Sequence, residues 1–325
     1  MADPLSQLET AEYDSTRIEK FLTEAVEVTD DEYFTSMTSH LIKAGGKRQR
    51  PRFTIAAAAA GSNTSEPMPD SVVKGGVAVE LVQVGSLYHD DVLDEAEIRR
   101  KVDSVNARWG NVKAILAGDY LLAKASEIAA ELGTEVVTLL AQTIAELCAG
   151  QVSEHQTLFD QNRTVDQYYK SIQGKTAALF STSTRIGGIV AQHSPEVIKQ
   201  LTEFGRLYGL AFQIVDDILD VTATDERLGK PAGNDIMEGV YSLPVIYTLQ
   251  EGNEKLANLL TENINEAQQQ QALELIRNGS GIKRALNEAQ EYASEAKEKI
   301  LEVSDNQSAQ ALAATTDQLI NNLNT

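Results

Sequence analysis

Apolar residues recur every three to four positions along most of the chain, and nowhere do they alternate strictly enough to make a strand. From Asp14 to Val28 a polar cap is followed by Ile18, Phe21, Leu22 and Ala25 on one stripe, which predicts an amphipathic helix. Pro67-Met68-Pro69-Asp70 has the composition of a helix start, with Asp70 as cap. A long apolar helix is predicted beyond it, from Val72 to Asp91, carrying Val77, Leu81, Val84 and Leu87. Further helices are predicted over Val112–Leu132, Glu135–Gln151, Val165–Gly187 and Pro195–Asp220. A loop rich in Asp, Gly, Lys and Pro follows from Thr222 to Gly239, and two or three amphipathic helices close the chain. The helices from Val72 and from Pro195 are apolar on almost every face, as expected of central helices in a bundle. No Gly/Ser-rich linker divides the chain. The expectation is an all-α fold, a bundle of helices forming one domain over residues 1–325.

Composition narrows the function. With 325 residues, 42% of them hydrophobic, the chain can bury a large core. A formal net charge of -20 argues against general affinity for nucleic acid or for an anionic membrane face. An acidic protein that binds phosphate must therefore concentrate positive charge locally, in metal ions or a small Lys/Arg group. The single cysteine, Cys148, excludes an internal disulfide and fits a reducing compartment. The segment MADPLSQLETAEYD has neither the basic region nor the apolar core of a secretory signal. Phe53–Ala60, taken as the longest apolar stretch, is too short to span a bilayer. A soluble cytoplasmic protein without stable membrane insertion is expected.

The informative chemistry is a near repetition. Val84-Gly85-Ser86-Leu87-Tyr88-His89 leads into Asp90-Asp91-Val92-Leu93-Asp94, and Leu210-Ala211-Phe212-Gln213-Ile214-Val215 leads into Asp216-Asp217-Ile218-Leu219-Asp220. The first and last aspartates of each cluster are four apart, so they share a helix face about a turn apart. Bare carboxylates at that spacing repel. Unless solvated, they call for a cation between them, and hard oxygen ligands of this kind suit Mg²⁺ completed by waters and substrate phosphates. One such cluster at a helix end is commonly just a solvated acidic terminus. Two copies, each behind a long apolar run, instead predict opposed clusters over an apolar channel.

Basic residues supply the counterpart. Gly45-Gly46-Lys47-Arg48-Gln49-Arg50-Pro51-Arg52 sets four cations in one short segment, and guanidinium groups can fork onto phosphate oxygens. Alone it could be a solvated loop, but Arg99-Arg100-Lys101 adds a second basic group just after the first acidic cluster. Together they describe a pocket for two diphosphates, one held by metals and one by side chains.

With these motifs on view the sequence resembles the trans-isoprenyl diphosphate synthases, also called polyprenyl synthetases. The resemblance runs roughly from Leu41 to Leu249 and is carried by GGKRQRP, DDVLD followed by RR, GDYLL at Gly118–Leu122, Gly150-Gln151, GKT at Gly174–Thr176, QIVDDILD, and GKPAGNDIMEG at Gly229–Gly239. It implies that Asp90, Asp91, Asp94, Asp216, Asp217 and Asp220 bind metal, as three Mg²⁺ per site. It further implies that Arg99, Lys175 and Lys230 contact the allylic diphosphate, that Lys47, Arg50 and Arg100 hold isopentenyl diphosphate, and that Thr176 and Gln213 line the reacting centre. A bundle of antiparallel helices and a homodimer are also implied. Gln83 stands where many members have histidine and would serve substrate binding as a hydrogen-bond donor. Val240 and Ser242 replace a lysine and a threonine of the usual pattern, and basic C-terminal residues found in some relatives are absent.

The implied chemistry is ionisation of the allylic C–O bond, attack by the π bond of isopentenyl diphosphate, and loss of a proton to the departing diphosphate. No protein nucleophile is needed, and His89, although beside the aspartates, is expected to orient a carboxylate or fill space. A terpene cyclase would carry an Asn/Ser/Glu second metal motif and would not need GGKRQRP. An inactive partner subunit of a heteromeric synthase would usually have lost aspartates. Ser86 and Gly85, with Val82 and Leu81 deeper, place no aromatic ring before Asp90, which suggests an open channel and a product of about C30 to C50, with a floor on the helix Glu135–Gln151. The short-chain alternative is a farnesyl or geranylgeranyl diphosphate synthase.

Overall fold

A computed structural model describes residues 3–62, 66–222 and 232–324. The described chain is almost entirely helical: α1 Ala11–Val26, α2 Glu32–Thr38, α3 Gln49–Ala60, α4 Asp70–Leu93, α5 Val105–Trp109, α6 Asn111–Glu131, α7 Thr134–His155, α8 Val165–Ile172, α9 Ala178–Val190, α10 Pro195–Thr222, α11 Asn234–Met237, α12 Leu243–Gln250, α13 Glu254–Leu259, α14 Glu266–Asn278, α15 Gly281–Val303 and α16 Gln307–Asn321. A single small hairpin interrupts them, β1 Ile98–Arg99 against β2 Val102–Asp103.

Two apolar clusters form the core. One is built around α4, α6 and α7, the other around α9, α10, α15 and α16. Helices α3 and α9 serve both: Phe53 and Phe180 belong to the second cluster, Ile55 and Leu179 to the first. The predicted central helices are indeed central, since α4 touches α1, α3, α6 and α9, while α10 lies along α9 and α15. Gly85 and Gly118 let α4 and α6 meet closely. A Cβ on Gly85 would lie 3.1 Å from the Gly118 carbonyl oxygen, and one on Gly118 would lie 2.4 Å from His89 Nε2.

Several expectations are corrected. The segment read as one helix over Val165–Gly187 is broken by a π-turn, Gln173–Ala177, and then runs on to Val190. Helix α3 had no counterpart in the sequence reading, although Pro51 sits in its first turn, where a missing N–H costs nothing. Five helices, not two or three, follow residue 242. Helix α7 exceeds Phe53–Ala60 in apolar length. It is long and apolar enough to cross a membrane by length and composition, and 39% of its most apolar stretch is buried within the protein.

Candidate active site

The two acidic clusters end α4 and α10, and in both the adjacent aspartates diverge. Neighbours on a helix are about 100° apart, so a pair cannot face one way. Asp90 is half-buried and Asp94 exposed, whereas Asp91 is fully buried and turned inward. There Arg99 Nε donates to Asp91 Oδ1 at 2.7 Å, and Arg99 Nη2 lies 2.6 Å from the same oxygen. Asp91 Oδ2 is buried with no hydrogen-bond partner. Asp216 is likewise exposed and Asp217 buried, with Tyr168 donating to Asp217 Oδ2 at 2.6 Å and Gln213 Nε2 to Oδ1 at 2.8 Å. Asp220, also buried, is tied to the chain that follows, accepting the Gly233 N–H on its carbonyl at 2.8 Å. The metal set read from sequence therefore divides: Asp90, Asp94 and Asp216 are presented outward, while Asp91 and Asp217 are held by protein donors.

Between the clusters stand Lys175 and Glu154. Lys175 Nζ lies 2.6 Å from Glu154 Oε1. Burial works against the lysine charge, but Glu154, with Asp90 and Asp94 beyond it, raises its pKa above the ordinary value. Glu154 in turn acts electrostatically on Asp90, Asp94 and Asp217, so one side chain of α7 feels both clusters. Burial pushes Asp90 up to about 6, against the pull of Lys175 and with the help of Asp94. The π-turn that displays Lys175 and Thr176 rests directly on α7. A Cβ on Gly150 would be 2.7 Å from the Lys175 backbone nitrogen, and one on Gly174 would be 2.6 Å from the Glu146 carbonyl oxygen. That is why glycine stands at both positions, and π-turns inside helices commonly mark functional sites. Thr176 Oγ1 donates to Gln213 Oε1 at 2.7 Å, which continues through Gln213 to Asp217.

The basic residues form a second group. The hairpin joins Arg99 to Val102 through Arg100 and Lys101, both at positive φ (53° and 65°), the two-residue turn whose twist suits a hairpin. It sends Arg99 to Asp91 and Arg100 the other way, to the carbonyls of Leu41 (2.8 Å) and Gly45. Arg50 is half-buried, its guanidinium 4.8 Å over the Phe180 ring and its Nε without a hydrogen-bond partner. Burial lowers its pKa to about 10, with Glu80 opposing. Lys47 is exposed at the mouth of the same loop, and Gln83 is half-buried on the Asp90 side of α4.

Not every cation of the basic segment faces a ligand. Arg48 is buried, its Nε and Nη2 on Glu19 (2.7 and 3.1 Å), and Arg52 is engaged by Asp3 and Ser6. His89 turns to α6, its Nε2 3.3 Å from the Ile115 carbonyl oxygen and 3.5 Å from Asp119. Gly85 and Leu81 do not lie beneath Asp90: they are about 140° and 180° round the helix from it, and Gly85 serves contact with α6. Ser86, about 40° away, keeps the expected side. Lys230 lies outside the described residues. Sequence reasoning missed Glu154, Tyr168, Arg163 and Glu80. Arg163 donates to the Tyr241 carbonyl and to Ser171, each at 3.0 Å, and props the Tyr168 ring.

The donor chemistry suits a hard divalent cation. Carboxylates crowded at the end of an apolar helix, one of them already resisting ionisation, gain from a cation that repays their desolvation. Among the described residues no three His, Cys, Asp or Glu side chains converge on one point.

An all-α enzyme of diphosphate chemistry is the class that this fold, its two acidic clusters linked through Glu154 and its basic loop define. A family model for polyprenyl synthetase matches residues 31–278, and the chain belongs to that family. It is 39% identical over 296 residues to nonaprenyl diphosphate synthase of Mycobacterium tuberculosis, covering 89% of this chain and 87% of that protein. It is 41% identical over 219 residues to heptaprenyl diphosphate synthase component 2 of Geobacillus stearothermophilus, 67% of each chain. The crystal structure of a Caulobacter crescentus polyprenyl synthase, complexed with calcium and isoprenyl diphosphate, superposes with a TM-score of 0.91 at 31% identity, covering 98% of this chain and 97% of that one. The protein is a prenyltransferase, a prenyl diphosphate synthase by family.

Proposed function

We propose that the chain condenses isopentenyl diphosphate with an allylic diphosphate and repeats the step to an all-trans product of about C30 to C50. The observation that carries this reading is the hairpin, which separates two anion subsites by sending Arg99 to the acidic cluster and Arg100 to the glycine-rich basic loop. The first subsite takes the allylic diphosphate. Lys175 and Arg99 bind its oxygens, and Asp90, Asp94 and Asp216 hold the cations, for which we propose three Mg²⁺. When bound, magnesium supplies Lewis-acid neutralisation of the leaving diphosphate. At the second subsite Lys47, Arg50 and Arg100 hold isopentenyl diphosphate with charge-assisted bonds. Thr176 and Gln213 line the space between, and the apolar helix walls exclude water from the allylic cation. Asp91 and Asp217 act by fixing their outward neighbours.

The long product rests on the Asp90 side of α4, where the residue one turn before Asp90 is the small Ser86 rather than an aromatic one. Helices α6 and α7 also leave Val112 (72% exposed), Leu116 and Val152 (56% each) uncovered. We propose that a second copy covers them, giving a homodimer; the relative named as a component makes a different partner chain the competing arrangement.

The deciding experiment incubates the purified protein with farnesyl diphosphate, isopentenyl diphosphate and Mg²⁺ and measures the product chain. Extension to about C30 to C50 is expected, and with the C5 primer dimethylallyl diphosphate Ser86→Phe should shorten the product to about C15 or C20 while turnover persists. Failure of the parent to incorporate isopentenyl units refutes the reaction; a parent product stopping at C20 or below refutes the long-chain reading alone.

A further inference from the structure

A carboxylate is buried beneath the basic loop. Glu80 stands on α4 ten residues before Asp90, 2% exposed, on an otherwise apolar stretch of helix. Arg48 Nη1 donates to Glu80 Oε1 at 3.3 Å, and Arg100 Nη2 lies 3.8 Å from the same oxygen. Arg50 is not bonded to it but feels it, as does Arg100: in both guanidinium groups burial works to lower the pKa, and Glu80 is the largest opposing influence. Two segments thus deliver three guanidinium groups to one place: the start of α3 supplies the left-handed Arg48 and, inside its first turn, Arg50, and the hairpin turn supplies Arg100. Arg50 and Arg100 repel, as do Arg48 and Arg100.

Arg48 is no substrate contact, because Glu19, the Ile42 carbonyl (2.8 Å) and Glu80 already occupy it. Arg100 and Arg50 remain, the first with Nη1 fixed on two carbonyls, the second with a buried Nε that no protein atom accepts from. Glu80 is more deeply buried than Arg100, whose side chain is 20% exposed, so it lies behind the guanidinium groups and an arriving diphosphate does not displace it.

On the substrate assignment made above, we propose that Glu80 is a positioning residue for the isopentenyl diphosphate subsite: it draws Arg48 and Arg100 against α4 so that Arg50 and Arg100 meet the diphosphate as a preformed pair. Its carboxylate never touches substrate. Without it, the diphosphate itself must gather mutually repelling cations, and affinity falls.

Glu80→Gln keeps the shape and removes the charge. Isopentenyl diphosphate binding is measured by calorimetry in metal-free buffer, where only the basic subsite is read, alongside the KM for each substrate with Mg²⁺. The expected result is a Kd and KM for isopentenyl diphosphate raised about tenfold, with the allylic KM changed less than about twofold. In an Arg100→Ala background the same substitution should add less than about threefold, because the two residues act as one unit. Glu80→Asp, which keeps the charge but withdraws it by one methylene, should fall between and serves if the Gln variant does not fold. An unchanged or lowered Kd in a folded variant overturns the proposal, as does an equal rise for both substrates or an additive effect in the Arg100→Ala background. A parent that fails to bind isopentenyl diphosphate at all refutes the substrate assignment instead.

Discussion

Tyr168→Phe deletes one oxygen and leaves the ring among Tyr169 and Arg163. The lost bond joins a tyrosine 2% exposed to Asp217, 4% exposed. Its magnitude depends on the charge of the acceptor: about 1.5–3 kcal/mol for an ionised carboxylate and about 0.5–1.5 kcal/mol for a protonated one. Burial pushes Asp217 up to about 7, although Tyr168 and Gln213 pull the other way. A carboxyl whose folded pKa is raised is a liability that is absent below its unfolded pKa and grows as pH climbs to the folded value. Removing the Tyr168 bond raises that folded value further, so the liability of the variant keeps growing where that of the parent has levelled off. At pH 6 both proteins hold Asp217 largely protonated and differ only by the neutral bond; at pH 8 they differ by the charged one. At about 2 °C per kcal/mol for a chain of this size, the variant should melt about 1–3 °C below the parent at pH 6 and about 3–6 °C below it at pH 8. Thermal melts with metal chelated measure this. Equal losses at the two pH values, or none at pH 8, would show that Tyr168 does not hold an ionisable Asp217.

Asp90→Asn and Asp216→Asn should each abolish most turnover while leaving the melting temperature near that of the parent, since both carboxylates face outward; near-parental rates at saturating Mg²⁺ would contradict their role as ligands. Gly150→Ala forces a methyl to within 2.7 Å of the Lys175 nitrogen and 2.9 Å of the Ser171 oxygen, and should cost about 1–3 kcal/mol in denaturant stability together with a fall in kcat. Lys101→Gly relieves a left-handed lysine in the hairpin turn and should raise stability by about 0.5–1 kcal/mol, read from the shift of the unfolding midpoint.

The bundle was legible because its central helices are long and strongly periodic, and the acidic clusters because each follows such a helix. What escaped was short or tertiary. The hairpin has two residues per strand, too few for alternation to register, and its turn is Arg-Lys rather than the usual Asn-Gly. The π-turn hides inside Val165–Gly187 because one inserted residue barely disturbs a period of 3.6. Glu154 is 60 or more residues from every aspartate of both clusters and Tyr168 is 49 residues from Asp217, and only the fold brings them together. Gly85 misled because two residues before a motif can both be small for different reasons, and five residues along a helix is the wrong face.

The two clusters solve one electrostatic problem in the same way. An outward carboxylate on a helix end needs a rigid backbone beneath it, yet the helix ends there and its last turn would fray. In α4 the adjacent Asp91 is anchored by Arg99 from the hairpin, and Asn106 Nδ2 donates to its carbonyl at 3.0 Å. In α10 the adjacent Asp217 is anchored by Tyr168 from α8 and by Gln213 one turn back. Each anchor comes from a segment that also carries or adjoins a substrate-facing group: Arg100 follows Arg99 in the hairpin, and Lys175 and Thr176 follow α8 in the π-turn. A shift of the anchor therefore moves an acidic ligand and a phosphate-binding cation together. On the proposed reading the doubled aspartate is a division of labour, with the outward carboxylate for the ligand and its buried neighbour for the protein, and in α4 the full turn between Asp90 and Asp94 leaves room for an ion.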